Sequence, residues 1–317
     1  MSADRVQPKV IIHGGAGSSL KGKGGAEVVR QSLYRVIDEI YALLLTGASA
    51  QACVVQGCQL LEDDPRFNSG TGSVLQSDGQ IRMSASLMDG STQRFSGVIN
   101  VSRVKNPITL ALELQNSHDR VLSDYGASEL LRELAIPTYD PLTEIRLQEW
   151  TLERQGNFRR EMAGVIAERE LVEEGARRGT IGVVVLDSQG NLAVGTSTGG
   201  KGFERIGRVS DSAMPAGNYG ANQAAVSCTG IGEDIIDECL AAKIVIRVTD
   251  GMPLQAAFER SFRESHHNHR DLGAIGIDHR GAIAWGKTSE VLLAAYHTGE
   301  KVGDTLDWVG ESLVGWI

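Results

Sequence analysis

The side chain with the most chemical promise is Thr180. It follows Gly179 in Arg178-Gly179-Thr180-Ile181-Gly182, between a charged stretch from Glu168 to Arg178 and an apolar run from Ile181 to Leu186. A threonine hydroxyl is a poor nucleophile until a base takes its proton. If the Gly179 to Thr180 bond were cut, the new N-terminus would carry that base itself, an α-amino group with a reference pKa near ~7.7. General-base help is worth roughly 10² to 10⁴ in rate, and each oxyanion donor roughly 10² to 10³. Together these could hydrolyse an amide without a metal.

Three polar stretches follow Thr180 and could serve it: Thr196-Ser197-Thr198-Gly199-Gly200, Gly207-Arg208-Val209-Ser210-Asp211-Ser212 and Ser227-Cys228-Thr229-Gly230-Ile231-Gly232-Glu233. The first continues a strand. The last sits at a strand-to-helix join, where free backbone N–H groups gather and an oxyanion hole can form. The sequence has no G-x-S-x-G elbow, HExxH helix or P-loop, and His13-Gly14-Gly15-Ala16-Gly17 lacks dinucleotide spacing.

Several elements must position these residues. Val10 to Ile12 is a short apolar strand leading into a glycine-rich loop, His13 to Ser19. From Ala26 to Leu45 apolar residues recur at three- and four-residue steps, predicting a helix that Gly47 ends; Ser49 can cap the next, running to about Leu61. The acidic, glycine-rich run Glu62 to Gly72 is either a solvated turn or a loop curled round a hard cation through its carbonyls.

Three strand-turn-strand outlines read as hairpins: Ser73 to Met83, Ile181 to Thr196 and Ala274 to Trp285. The unbroken Val183-Val184-Val185-Leu186 implies a sheet covered on both faces, with helices as the cover. Further helices are expected over Pro107 to Leu114, Tyr125 to Leu134, Gly232 to Val248 and Met252 to Phe262. The stretch from Thr143 to Arg177 suggests a solvated helix and then a linker, and His266-His267-Asn268-His269 a polar loop.

Composition narrows the partners. The 317 residues are 41% hydrophobic and carry a formal net charge of -9, which suits a globular protein and leaves no basic stripe for nucleic acid. A small polar substrate fits better. Nothing approaches the roughly 18 apolar residues of a membrane span, and the polar start lacks the long apolar segment of a signal peptide. Cys53, Cys58, Cys228 and Cys239 show no CxxC or Cys/His pattern, so reduced thiols in a cytoplasmic protein are expected.

Seven segments, in order, resemble the plant-type asparaginase and isoaspartyl peptidase family of N-terminal nucleophile hydrolases. They are His13 to Gly17, Phe67-Asn68-Ser69-Gly70-x-Gly72, Ala85 to Gly90, Gly179 to Gly182, Thr196 to Gly200, Gly207 to Ser212 and Ser227 to Gly230. The resemblance covers nearly the whole chain. It implies an α+β fold, a four-layer αββα sandwich forming one domain over residues 1 to 317. It also implies self-cleavage between Gly179 and Thr180, giving an α chain 1 to 179 and a β chain 180 to 317, and a dimer of such αβ heterodimers.

Carried over residue by residue, the resemblance makes Thr180 the nucleophile and base, with Thr198 beside it. Arg208 and Asp211 would hold the substrate's α-carboxylate and α-amino group, Thr229 and Gly230 the oxyanion, and Gly232 would shape the pocket. Asn68 would stand near the nucleophile. No catalytic cofactor is implied, while a structural sodium would be bound by the loop carrying Leu61, Glu62, Asp64, Phe67, Ser69 and Thr71. The implied substrates are isoaspartyl dipeptides and L-asparagine. Two alternatives are a glycosylasparaginase- or taspase-like hydrolase of the same fold and an uncleaved, inactive scaffold. Ser84, Ser210 and a short Ala216 to Ala224 segment depart from the family pattern without removing an implied catalytic residue.

Overall fold

The computed structural model describes residues 6–17, 24–155, 179–308 and 312–317. Two sheets organise the described residues. The larger has eight strands in the order β12-β11-β1-β5-β6-β2-β3-β4, formed by β1 (Lys9–Gly17), β2 (Met83–Asp89), β3 (Arg94–Val101), β4 (Val121–Ser123), β5 (Ile181–Leu186), β6 (Leu192–Thr198), β11 (Val291–His297) and β12 (Val302–Asp304). The smaller runs β13-β10-β9-β8-β7, from β7 (Asn218–Gly220), β8 (Ala224–Gly230), β9 (Leu272–Asp278), β10 (Ile283–Lys287) and β13 (Val314–Trp316).

Side-chain alternation along the strands divides the apolar residues into separate cores, because successive residues point to opposite faces. On β5, Val183 and Val185 join the cluster that includes the helices α1 (Ala26–Leu45), α2 (Ala50–Glu62) and α3 (Pro107–Glu113). Val184 and Leu186 instead meet Ala225, Ile275 and Ile277 of the smaller sheet. All four are fully buried, so the strand is covered on both faces as its unbroken apolar run predicts. A third cluster joins β8, β9 and β10 to α7 (Leu240–Thr249) and α8 (Leu254–His267). Burying each such aliphatic side chain contributes about 1.5 to 3 kcal/mol.

Most expected helices are present, including α4 (Asp124–Glu133) and α5 (Glu144–Gln155), and Ser49 caps α2 by accepting from the Ala52 N–H at 3.3 Å. Four local expectations change. The glycine loop after Ile12 is instead strand as far as Gly17, with β1 absorbing Gly14 and Gly15 as a bulge against β11 between His13 and Ala16. Ser73 to Met83 is a turn without a first strand; the hairpin here is β2 with β3, beginning at Met83. The helix expected over Gly232 to Val248 breaks at Cys239, whose φ of 48° is left-handed, into α6 (Gly232–Glu238) and α7. His266 and His267 close α8 rather than forming a loop, since the buried face through Phe258, Phe262 and Ser265 carries the helix up to them. The linker expected before Gly179 falls on 156–178, outside the described residues.

Candidate active site

The β5–β6 hairpin brings the first pair of site residues together. Its turn is held by Asp187, whose Oδ1 accepts from the Gln189 and Asn191 N–H groups at 2.9 and 3.0 Å. That turn sets the register, pairing Ile181 with Ser197, so Thr180 stands one step on, across from Thr198. Both threonines are buried, and the Thr180 hydroxyl reaches Thr198 Oγ1 at 3.4 Å. Thr198 Oγ1 also accepts from the Gly200 N–H at 3.1 Å, which leaves its own proton free to turn elsewhere.

The smaller sheet supplies Thr229 and Gly230 at the end of β8. Thr229 Oγ1 accepts from the Ala16 N–H of β1 at 3.0 Å, tying the two sheets at this point. Gly230 has a φ of 128°, and a Cβ there would lie 2.6 Å from Leu272 Cα, so the position demands glycine. The Ile231 N–H donates to the Asp271 carbonyl at 2.9 Å, fixing the entry to α6.

Arg208 and Asp211 arrive on the long connection after β6. They do not form an ion pair with each other. Arg208 gives Nε and Nη2 to Glu233 at 3.1 and 3.0 Å, while Asp211 is buried with Oδ2 lacking a hydrogen-bond partner among the described residues. Burial raises the Asp211 carboxyl to about 6, against the downward pull of Arg208. For Glu233, burial is the largest single effect and opposes ionisation, but the hydrogen bonds and charge of Arg208, with the Glu233 backbone and Lys201, together hold the carboxyl below its ordinary value. Gly232 makes the close approach possible: a Cβ there would stand 2.4 Å from Arg208 Nη2 and 2.9 Å from Asp211 Oδ1.

A single cleft is lined by Gly179, Thr180, Thr198, Arg208, Asp211, Gly230 and Gly232, with Ser210 between the two charged residues in sequence. Seven of the residues singled out from sequence therefore meet at one place. Asn68 and Thr229 are not in its lining. Asn68 Nδ2 donates to the Gly200 carbonyl at 2.7 Å and its Oδ1 accepts from the Val74 N–H at 2.9 Å, so its amide braces the turn after Thr198.

Comparison with known proteins gives this geometry its context. The asparaginase family model matches residues 6–307. The chain is 72% identical to an isoaspartyl peptidase/L-asparaginase of Nostoc sp., over 99% of each chain, and 64% identical to one of Synechocystis sp., over 95% of this chain and 91% of the relative. A plant-type L-asparaginase of Pyrococcus abyssi is 33% identical over 90% of this chain and 95% of its own. The chain belongs to the asparaginase family.

Two further buried groups of this asparaginase-family chain escaped the sequence. His13, beside Gly182 in the sheet, shares Ser227 Oγ with Thr196, at 2.8 and 2.7 Å respectively. Burial pushes its pKa down to about 3, against a smaller upward effect of the Thr180 backbone, so the ring is neutral. Glu204, also buried, accepts from the Lys201 N–H at 3.2 Å; burial raises its pKa. His13, Thr196 and Ser227 lie within recognised segments, but only strand pairing shows that they touch. No local pattern marked Glu204.

The loop from Leu61 to Thr71, expected to curl round a cation, has its side chains largely committed within the protein. Glu62 Oε1 accepts from Ser197 Oγ at 2.6 Å and the Ile108 N–H at 3.2 Å, and Ser69 Oγ donates to Ser197 Oγ at 2.7 Å. Burial raises Glu62 to about 8, with the Ser197 hydrogen bond opposing it, so the acid is largely neutral at pH 7. The Asp64 carboxylate takes the Ser32 hydroxyl and Arg66 Nη1. Thr71 Oγ1 lies 3.0 Å from Tyr139 Oη, and Phe67 is in the core. Among the described residues, no group of three or more His, Cys, Asp or Glu residues could hold a metal ion.

Proposed function

We propose that this chain cuts itself before Thr180 and then hydrolyses the side-chain amide of L-asparagine and the β-aspartyl bond of isoaspartyl dipeptides, releasing L-aspartate. One observation carries the reading: Thr180 shares its cleft with Thr198, Gly230, Arg208 and Asp211. That cleft has only about 20 Å³ of free space, little more than one water, and Gly179 is one of its walls. Release of the Gly179 end would open room for a substrate. The names of the Nostoc and Synechocystis relatives point to the same two substrates.

In the cut, Thr180 Oγ1 adds to the Gly179 carbonyl carbon, the C–N bond breaks, and the hydroxyl proton ends on the freed amine. Water then hydrolyses the resulting ester. During turnover the Thr180 amine takes the hydroxyl proton as Oγ1 attacks the substrate's side-chain carbonyl, and returns it to the departing ammonia or amino group. Thr229 and Gly230 face the oxyanion; because Thr229 Oγ1 already accepts from Ala16, its O–H remains available as a donor. Water, deprotonated by the same amine, frees aspartate from the acyl-enzyme. Arg208 takes the α-carboxylate through its planar fork and Asp211 the α-ammonium, which confines the enzyme to substrates with a free α-amino acid end.

The three apolar clusters support a four-layer αββα sandwich and one domain over 1–317. After the cut, β1 pairs with β5 and β2 with β6, so hydrogen bonds would hold the α chain 1–179 against the β chain 180–317. Likeness to the family adds a dimer of αβ heterodimers and no catalytic cofactor. The four unbridged thiols support a cytoplasmic location; among the described residues no helix is long and apolar enough to cross a membrane.

A structural sodium suits the loop carrying Leu61, Glu62, Asp64, Phe67, Ser69 and Thr71 through carbonyls. The Thr71 N–H meets the Glu62 carbonyl at 2.8 Å, which curls the loop, and a carbonyl used once keeps a second lone pair for a hard cation. The proposed function is tested by Thr180→Ala, expected to give one uncut chain and no ammonia from L-asparagine. Intact mass spectrometry of the unaltered protein should find a chain beginning at Thr180. Two chains from the alanine variant would sink the mechanism.

A further inference from the structure

Three hydroxyls line the cleft, those of Thr180, Thr198 and Ser210, and the first two are engaged with each other while Thr198 also accepts from the Gly200 N–H. Ser210 is 4% exposed, and its Oγ is buried without a hydrogen-bond partner among the described residues. Its backbone is ordinary extended chain, with φ -86° and ψ 163°, so the side chain imposes no backbone strain. A buried hydroxyl left unmatched is costly, and native structures keep few of them unless a ligand or water completes the set.

The neighbouring residues indicate which ligand group it meets. Arg208 has already given its Nε and Nη2 edge to Glu233. A bound carboxylate offers about four lone-pair positions, more than the remaining edge of one guanidinium can fill. Lys201 also lines the cleft, but the residue is exposed, so its ammonium competes with water. The α-ammonium brings three donors of its own and meets a carboxylate acceptor in Asp211, so a hydroxyl donor serves the substrate carboxylate, which brings none. Resting on the hydrolase reading above, we propose that Ser210 is a specificity-determining residue whose Oγ–H donates to the substrate's α-carboxylate beside Arg208.

The hydrogen bond binds a group that does not change during the reaction, so its loss raises KM and leaves kcat almost unaltered. L-asparagine and β-aspartyl-leucine share the same α-amino acid end and respond together. The test compares Ser210→Ala and Ser210→Gly with the unaltered enzyme on both substrates, with rates normalised to the β chain on a denaturing gel. The expected result is a rise in KM of about tenfold in both variants and for both substrates, typical of losing a hydrogen bond to a charged group, with kcat within about twofold. If alanine impairs the cut, the glycine variant carries the comparison.

A KM within about twofold of the unaltered enzyme overturns the proposal. So does a lower KM in Ser210→Gly, which would mean that Ser210 acts by crowding the cleft. A fall in kcat at constant KM would also overturn it, by making the residue part of the chemical step. Failure of the unaltered chain to hydrolyse either substrate refutes the hydrolase reading itself, and the Ser210 proposal falls with it.

Discussion

Asp211 and Glu62 are both buried carboxyl groups raised by burial, to about 6 and about 8, yet they sit in opposite kinds of surroundings. Glu62 is buttressed by Ser197 Oγ and the Ile108 N–H, and it ties α2 to β6 and the start of α3. Among the described residues each leaves one oxygen without a partner, Asp211 Oδ2 and Glu62 Oε2, but Asp211 lines the cleft beside Arg208. The first is settled as a largely neutral acid serving the scaffold. The second is ionised at neutral pH and unspent, which suits it to receive a cationic group. Burial alone therefore does not mark a functional carboxylate; an unfilled acceptor at a cleft does.

The largest expected effect comes from erasing that difference at Asp211. Asp211→Asn removes the negative charge while keeping the shape, and kcat/KM for L-asparagine should fall by roughly 10² to 10³, typical of breaking a buried charge pair. In the unaltered enzyme the ammonium is held by the ionised carboxylate, so KM should rise as pH falls through about 6. Steady-state kinetics between pH 5 and pH 8 should show that limb flattened in the variant. An unchanged limb would assign the titration to another group.

A smaller effect is expected from Gly232→Ala, which crowds the Arg208 and Asp211 side of the comparison without altering any charge. The added Cβ would fall 2.4 Å from Arg208 Nη2, so the guanidinium must shift. KM should rise about tenfold while thermal stability stays nearly constant, since alanine is at least as good as glycine at the start of a helix interior. Equal KM values would show that Arg208 has room to spare.

The smallest effect concerns Glu62→Gln, which should leave KM unchanged and alter only how stability responds to pH. The folded acid keeps its proton up to about 8, whereas the unfolded one loses it near 4.5, so the folded state binds more protons between those values. Stability contributed by Glu62 therefore declines as pH rises through that window. Thermal unfolding at pH 5 and pH 9 should show a smaller decline in the glutamine variant. An identical decline would mean that Glu62 is already ionised in the folded protein.

The same pair shows what sequence patterns can and cannot display. Arg208, Asp211 and Gly232 lie in recognised polar segments, and the cleft brings them together with Thr180. Glu62 lies in a segment expected to curl round a cation, but its side chain turns inward to Ser197, 135 residues away. The Glu233 carboxylate on Arg208 was equally hidden, because nothing in Gly232-Glu233 says which way the second residue points. The fold was legible where periodicity is long, as in α1 and the β5–β6 hairpin. It was misread where one residue changes the backbone, at the β1 bulge and at left-handed Cys239.

By itself the sequence determined the chemical inventory: a threonine after glycine, an arginine and an aspartate three residues apart, a threonine and glycine at a strand end, and the lengths of most helices. Those features are local, set by residue type and by the periods of strand and helix. Only the tertiary structure decided that Thr180 faces Thr198 and that Thr229 is tied to Ala16 across the sheets. It also decided that Asp211 lines the cleft while Glu62 turns its Oε1 to Ser197 in the interior. The first contact spans 18 positions and depends on hairpin register, while Ala16–Thr229 and Glu62–Ser197 span 213 and 135, distances that close only when the chain has folded.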